Sequence, residues 1–137
     1  MSITESIRTY LCTCPFLKDG IINVDYLGEK PTEYTVECVP AAKEVKRYTD
    51  GSSLKQYLFL FASREYYGQD VLTNIENSRF YEQFSNWISQ QDKKGIYPVL
   101  ENGIPQKIET LSSGYLFHGN GTDARYQIQC RLTYYEK

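Results

Sequence analysis

The sequence predicts a single α+β domain, residues 1–137, with two main helices on a mostly antiparallel sheet of about six strands. Three observations lead to this prediction. A chain of 137 residues has the size of one domain with its own core. Six segments have the signature of a strand, which is an alternation in polarity or a hairpin turn signal and, at residues 57–62, a continuous apolar run. Two further segments show the apolar spacing of helices. The strands are grouped, in the order α-β-β-β-β-α-β-β, and such grouping is typical of α+β proteins.

The first predicted helix begins near Ser2, because Ser2 and Glu5 have the spacing of a capping box. Pro15 lacks an N–H group and disfavours helical backbone in the residue before it, so the helix is expected to end near residue 14. The apolar stripe of this helix consists of Ile3, Ile7, Tyr10, Leu11 and Cys14.

Four strands are expected between the two helices. The first two cover residues 21–27 and 34–38. The other two form a hairpin around Asp50-Gly51, which tolerate positive φ, and its loop holds either two residues or four. The six apolar residues 57–62 predict a central strand covered on both faces, with a short buried helix as the alternative.

The second helix is expected over residues 68–94, with Asp70 as its N-cap and an end at Gly95. Asn77-Ser78 interrupts the apolar rhythm, which predicts a short helix, a jog and then a longer helix. The apolar side chains before the jog are Val71, Leu72 and Ile75, and those after it are Phe80, Phe84, Trp87 and Ile88.

A loop that contains Pro and Gly is expected over residues 95–105. The last two strands follow it and are predicted to form a hairpin with Asn120-Gly121 as its two loop residues. This register pairs Phe117 with Ala124 and Tyr115 with Tyr126. In the final strand one set of side chains is apolar and the other is polar. The apolar set is Tyr126, Ile128, Cys130, Leu132 and Tyr134.

Composition argues against several classes of function. The net charge is -2, and the excess of basic residues over residues 43–64, five against two acidic ones, is too small to indicate nucleic-acid binding. No apolar stretch has membrane-spanning length, and polar residues break the first apolar run, so no signal peptide is expected. A reducing cytoplasm is therefore expected, with Cys14, Cys38 and Cys130 as buried thiols.

No catalytic, cofactor-binding or metal site is predicted. His118, the one histidine, is expected at an exposed hairpin tip with Asp123 directly opposite. Cys12 and Cys14 lack the two-residue gap of a zinc knuckle. No glycine motif of a phosphate-binding loop occurs. A content of 13 Tyr, 6 Phe and 1 Trp instead suits half-buried sheets and surfaces covered by other proteins.

Three segments carry a family resemblance. They are Y-T-D-G-S-S-L-K-Q-Y-L-F-L-F-A-S-R-E-Y-Y-G, N-I-E-N-S-R-F-Y-E-Q-F-S-N-W-I and G-Y-L-F-H-G-N-G-T-D-A-R-Y-Q-I-Q-C-R-L-T-Y-Y. In this order and spacing, the chain from residue 14 to the final strand resembles small proteins of tail-gene clusters in phages and prophages of Gram-positive bacteria. Among these, it is similar to the tail terminator, or tail completion, family.

The resemblance implies a structural protein of the virion and not an enzyme. Tail terminators have a compact α+β fold and form a hexameric ring on the last ring of the tail tube. There they stop tube growth and offer a surface to the neck of the head. The implied partners are further copies of the chain, the tail-tube protein and a neck or head-completion protein, at the head-proximal end of the tail and, during assembly, in the host cytoplasm. The alternative is a head-completion, neck or minor capsid protein of the same particle.

The polar face of the final strand is the first expected interface with a neighbouring subunit or the tube. Neutral polar side chains can be satisfied across such a contact, whereas strands that face water more often carry Lys and Glu. A plain solvated sheet face is the alternative. The residues concerned are Gln127, Gln129, Arg131 and Thr133.

The Asp50-Gly51 hairpin is the second expected interface. Arg47 and Lys55 lie near its tip, and the hairpin is a candidate arm that reaches the tube below.

Overall fold

The computed structural model of the protein describes residues 2–15, 17, 22–24, 33–40, 43–66, 71–119 and 123–136. Within these residues the order is α-β-β-β-β-α-β-β-β, which confirms the α+β class. The helices are α1 (Ile3–Leu11) and α2 (Val71–Lys94). The strands are β1 (Ile22–Val24), β2 (Glu33–Cys38), β3 (Glu44–Arg47), β4 (Ser53–Tyr66), β5 (Ile104–Thr110), β6 (Tyr115–Gly119) and β7 (Asp123–Glu136).

The seven strands of the described chain form one sheet, whose main path is β1-β2-β4-β7-β5. β3 pairs with β4, and β6 pairs with β7. All pairs are antiparallel except β1 with β2, which is parallel. β4 and β7 pair along their whole length, from Ser53 opposite Glu136 to Tyr66 opposite Asp123.

The expectation of about six strands missed β5. Its first residues, 104 and 105, were assigned to the Pro- and Gly-containing loop over residues 95–105. The structure accommodates Pro105 in a terminal strand of the sheet path, next to a register shift between Pro105 and Lys107. Proline is tolerated at an edge or at a bulge, so the strand continues through it.

The register predicted for the last hairpin is wrong. Gly119, not Phe117, lies opposite Ala124, and Tyr115 lies opposite Gln127, with a register shift between Leu116 and His118. The predicted loop residues 120 and 121 lie outside the described residues. Because side chains alternate along a strand, the altered register moves Tyr115 from the core face to the opposite face of the sheet.

The hairpin between β3 and β4 has three loop residues, 49–51, neither two nor four. The Tyr48 N–H donates to the Ser52 carbonyl at 2.8 Å, and the Gly51 N–H donates to the Tyr48 carbonyl at 3.1 Å. Gly51 has a φ of 91°. These are the features of a tight turn closed by a glycine bulge, in which positive φ at the last loop residue favours glycine.

The predicted first helix is confirmed. The Ser2 side chain accepts the Glu5 N–H at 3.1 Å, and the helix ends at Leu11, before Pro15. Its apolar stripe packs into the core, with Ile3 partly buried and the other members buried: Ile7, Tyr10, Leu11 and Cys14.

The second helix is one continuous helix, so the predicted jog at Asn77-Ser78 is wrong. The polar pair Asn77-Ser78 interrupts the apolar stripe but does not prevent the backbone hydrogen bonds of a helix. Residues of low helix propensity cost a helix only a few tenths of a kcal/mol each, so the helix continues through them. The helix ends as predicted at Gly95, whose φ is 72° and whose N–H donates to the Asp92 carbonyl at 3.2 Å. The proposed N-cap Asp70, and the side chains of Val71, Leu72 and Ile75, lie outside the described part.

The core lies between the two helices and one face of the sheet. Phe61 of β4 stacks on Phe84 of α2 with ring centroids 4.6 Å apart, and Trp87 of α2 contacts Tyr10 of α1 at 5.4 Å. The predicted apolar set of the final strand is confirmed, since all five members are buried: Tyr126, Ile128, Cys130, Leu132 and Tyr134.

The four cysteines divide into two buried and two exposed side chains. Cys14 and Cys130 are buried, as expected. Cys38 is exposed, which contradicts the expectation of a buried thiol. It follows the apolar alternation of β2, but it is the last residue of that strand.

Gly114 lies against Tyr81, and we expect Gly114→Ala to destabilise the protein. A Cβ at residue 114 would lie 2.3 Å from the Tyr81 Cβ, so the loop or α2 has to shift. Overpacking of this kind costs about 1–3 kcal/mol. Urea unfolding of the variant measures this loss. Ser113→Ala, at an exposed neighbour, is the control, and equal stability of the two variants would contradict the packing.

Thiol labelling should separate the cysteines into two pairs. In the folded protein Cys12 and Cys38 should react with a thiol reagent, and Cys14 and Cys130 should react only after unfolding. Burial also raises the pKa of the Cys130 thiol, so little reactive thiolate is present. Titration with and without guanidinium tests this. A Cys12→Ser, Cys38→Ser variant that still reacts quickly when folded would refute the prediction.

Candidate interaction surface

The sheet face opposite the helices, here called the outer face, carries the polar side of the final strand. Core-facing and outer residues alternate along β4 and β7, and the uninterrupted register between these strands keeps the two sets apart. The outer residues of β4 are Leu54, Gln56, Leu58, Leu60, Ala62 and Arg64. Those of β7 are Arg125, Gln127, Gln129, Arg131, Thr133 and Tyr135.

Apolar side chains on β4 remain partly exposed on this face. The central position predicted for residues 57–62 is confirmed, because β4 pairs with β2 and β3 on one side and β7 on the other. The expected cover on the second face is incomplete. Ala62 is buried, but Leu54, Leu58 and Leu60 are only half-buried. Together these three leucines form the apolar centre of the outer face.

Gln127 is buried and bonded within the chain. Its Nε2 donates to the Tyr115 hydroxyl at 2.6 Å, and its Oε1 accepts from Arg125 Nε at 3.1 Å. Arg125 also pairs with Glu37 of β2 at 3.0 Å. Gln127 therefore belongs to a polar network of the outer face, and its amide is occupied within the subunit. The shifted position of Tyr115, which the sequence register missed, creates this network.

The other three predicted residues of this strand differ in their availability. Arg131 pairs with Glu109 of β5 at 3.2 Å, while its Nε is buried without a hydrogen-bond partner. Gln129 is exposed, with a long 3.5 Å contact from its Nε2 to the Tyr115 hydroxyl. Thr133 is half-buried. The structure thus places all four predicted residues on one face, and Gln129 is the most accessible of them.

The second predicted set lies around the β3–β4 turn, where two of its members build the turn itself. The Asp50 carboxylate accepts the backbone N–H of Ser52 at 3.0 Å and the hydroxyl of the same residue. Gly51 supplies the positive φ. Arg47 pairs with Glu44 at 2.8 Å on the exposed surface.

Lys55 pairs with Glu136 at 2.9 Å and connects the hairpin to the end of β7. The two predicted sets meet here, since Gln56 lies opposite Thr133 and Lys55 lies opposite Tyr134. At this point the two sets lie on opposite faces of the sheet. Gln56 shares the outer face with Thr133, and Lys55, its neighbour in β4, belongs to the other face.

A row of aligned residues near this hairpin, whose exposed apolar member is Ile104, was not predicted. The register aligns Lys46, Leu54, Tyr135 and Ile104 across β3, β4, β7 and β5. Ile104 is 60% exposed, and the Tyr135 ring lies 6.1 Å from that of Tyr48. Sequence reasoning missed this row because residue 104 was assigned to a loop.

The expected pairing of His118 with Asp123 is wrong. His118 lies opposite Arg125, and Asp123 lies opposite Tyr66 of β4. Among the described residues, no group of three or more His, Cys, Asp and Glu side chains is arranged to hold a metal ion. No helix in the described ranges has the length and apolar character needed to cross a bilayer.

Open grooves lie beside α2. One of about 550 Å³ is lined by Tyr81, Glu82, Ser85, Asn86, Ser113 and Gly114. A second groove of about 380 Å³ continues from Ser85 and Asn86 along β5. Hydroxyl and amide groups line much of the first groove, and the second also has charged side chains in its lining: Asp92, Lys107 and Glu109.

These features define the protein as an α+β protein whose two described helices both pack on one face of the sheet. No protein-family model matches the chain, and no curated protein sequence is significantly similar to it.

The Asp50 carboxyl should titrate below the usual range of aspartate. The hydrogen bond from the Ser52 hydroxyl, followed by that from the Ser52 backbone, lowers the Asp50 pKa. A depressed folded-state pKa gives stability that is present above the unfolded pKa and is lost as pH falls through the folded pKa. Ser52→Ala should raise the Asp50 pKa and weaken the acid dependence of unfolding. NMR titration of both forms measures this, and an identical Asp50 pKa would contradict it.

Proposed function

We propose that the protein is a structural component of a phage tail that caps the tail tube as a ring, with the outer face as a contact surface between subunits or with the tube. The proposal combines the sequence resemblance to tail terminators with the half-exposed leucines on a central strand. In this view the chain acts through its surface and not through an active site.

The leucines of the outer face carry the proposal. Leu58 and Leu60 lie in the middle of the sheet, where β4 is paired on both sides. Fully burying an exposed leucine is worth about 1.5–3 kcal/mol. Leu58 and Leu60 are already partly buried, so a partner that covers the remainder gains a fraction of this for each side chain. Gln129, exposed and opposite Leu60, supplies hydrogen-bonding groups beside them.

The polar surroundings suit a protein partner. The ion pairs of Arg125 with Glu37 and of Arg131 with Glu109 flank the leucines on neighbouring strands. A surface with an apolar centre and a polar rim is the usual anatomy of a protein–protein contact. A ring closed by rotation uses two different surfaces of each subunit, and the outer face is the candidate for one of them.

The β3–β4 hairpin is proposed as the arm toward the tube. All four residues of β3 are exposed, and Val45 has 54% of its surface accessible. Because Asp50 and Gly51 hold the turn, substitutions there disturb the arm's shape. Val45 and Arg47 are better probes of its contacts.

Particle assembly without this protein tests the proposed role. Loss of a terminator should give overlong tail tubes in electron micrographs. Tailless heads with normal free tails would instead assign the protein to the neck or head completion.

The leucine face can be tested separately with Leu58→Ser, Leu60→Ser. Because both side chains are only partly buried, the double variant should stay folded. It should lose the mass increase that the proposal predicts for the wild type with tail-tube protein. Light scattering after size-exclusion chromatography measures that mass. Val99→Ser is the control, since Val99 is 80% exposed and lies in the loop after α2. An unchanged complex with the double variant would exclude this face as the contact.

A further inference from the structure

A further strand could pair with the outer edge of β5, but side chains of the same chain already form hydrogen bonds there. β5 ends the sheet path β1-β2-β4-β7-β5. The N–H of Leu111, directly after β5, donates to the carbonyl of Gln129 in β7 at 2.7 Å. Backbone groups alternate in direction along a strand, so the N–H and C=O groups of the even-numbered residues of β5 point away from β7. Outward backbone groups on a terminal strand are a template for pairing with another chain.

The Asp92 side chain lies where such a strand would pair with β5. It lies in the last turn of α2, and its Oδ1 accepts the N–H of Ile108 at 3.1 Å. In an added strand, a backbone carbonyl oxygen would accept this N–H. The carboxylate therefore substitutes for the carbonyl at the centre of the edge.

Tyr97 extends the same arrangement by one position. Its hydroxyl lies 3.1 Å from the carbonyl oxygen of Gln106 and 3.0 Å from Asp92 Oδ1. The Tyr97 hydroxyl carries a single hydrogen, for which the Gln106 carbonyl, Asp92 Oδ1 and the Asp92 carbonyl at 3.2 Å compete. Asp92 is therefore the acceptor at Ile108, and Tyr97 contacts the edge at Gln106 and is linked to Asp92.

The elements that carry these side chains are fixed to the rest of the fold. Beyond Gly95, the Ile96 N–H donates to the Gln91 carbonyl at 3.0 Å, and the Ile96 carbonyl accepts the Tyr10 hydroxyl at 2.9 Å. Further along the edge, Ser85 and Thr110 are hydrogen-bonded through their hydroxyls at 3.0 Å. The end of α2 is therefore held beside β5 from both directions.

We propose that Asp92 and Tyr97 form an edge guard that prevents β5 of a second copy from adding to the sheet. Two identical edges can pair antiparallel around a two-fold axis, which would produce a dimer through a continuous sheet. With the guard in place, copies meet through other surfaces. The guard does not depend on the proposed tail function.

The variant Asp92→Ala, Tyr97→Phe tests the guard. The Ile108 amide should exchange with solvent at least tenfold faster than in the wild type, because its acceptor is gone. The mass in solution should also rise with protein concentration above that of the wild type. Asp92→Asn keeps a side-chain oxygen as acceptor, so it should restore the protection of Ile108.

The control is Glu82→Ala, which removes an exposed acidic side chain from α2 away from the edge and should change neither measurement. Unchanged Ile108 exchange in the double variant overturns the proposal. Faster exchange without any rise in mass overturns it as well, because the contacts would then support the fold but exclude no partner. If circular dichroism shows that the double variant is unfolded, Asp92→Ala alone, which also removes the acceptor of the Ile108 N–H, is measured and judged in the same way.

Discussion

The antiparallel pairing of β4 with β7 is the constraint on which the rest of the structure depends. The two strands remain in register over fourteen residues each, from Ser53 opposite Glu136 to Tyr66 opposite Asp123. Each then offers its other edge to two shorter strands, β2 and β3 on one side and β5 and β6 on the other. A shift by one residue would move every apolar side chain of one strand to the wrong face, so this register decides which residues form the core and which form the surface.

On the core face, aromatic side chains and hydrogen-bonded hydroxyl groups join the sheet to α2. Phe61 stacks on Phe84 and joins the sheet to α2. Beside them, the Ser63 and Tyr81 hydroxyls lie 2.6 Å apart, and the Tyr81 hydroxyl also donates to the Tyr126 carbonyl at 3.0 Å. Buried hydroxyls are tolerated when their hydrogen bonds are made, so this contact fixes α2 against the sheet without an energetic penalty of unpaired groups. The position of Tyr81 also explains why residue 114 is a glycine, since a Cβ there would lie too close to the same tyrosine.

The outer face and the guarded β5 edge suggest how the protein would associate without aggregating. A sheet that lacks a cover on one face needs polar groups there, and Gln127, Arg125 and Arg131 supply them through bonds within the subunit. The leucines among these groups are the part that a specific partner can cover. In the proposed ring, copies meet through this face, whereas an unguarded β5 edge would join two copies in one continuous sheet. Face contact and edge protection thus favour closed assembly over continuous sheets.

The sequence determined the α+β class, α1 with its Ser2 cap, the end of α2 at Gly95 and the core side of the final strand. These features follow from local chemistry, namely capping groups, glycine φ and alternation. Tertiary structure decided the rest. Residues 104–110 became a strand because β7 offers a free edge there, and the shift at Leu116–His118 moved Tyr115 onto the outer face, where it binds Gln127. The sequence therefore predicted which residues form the candidate surface, but not which of them are accessible to a partner. Hydrogen bonds such as those of Gln127 and Ile108 join residues distant in sequence, and only the assembled sheet brings them within reach.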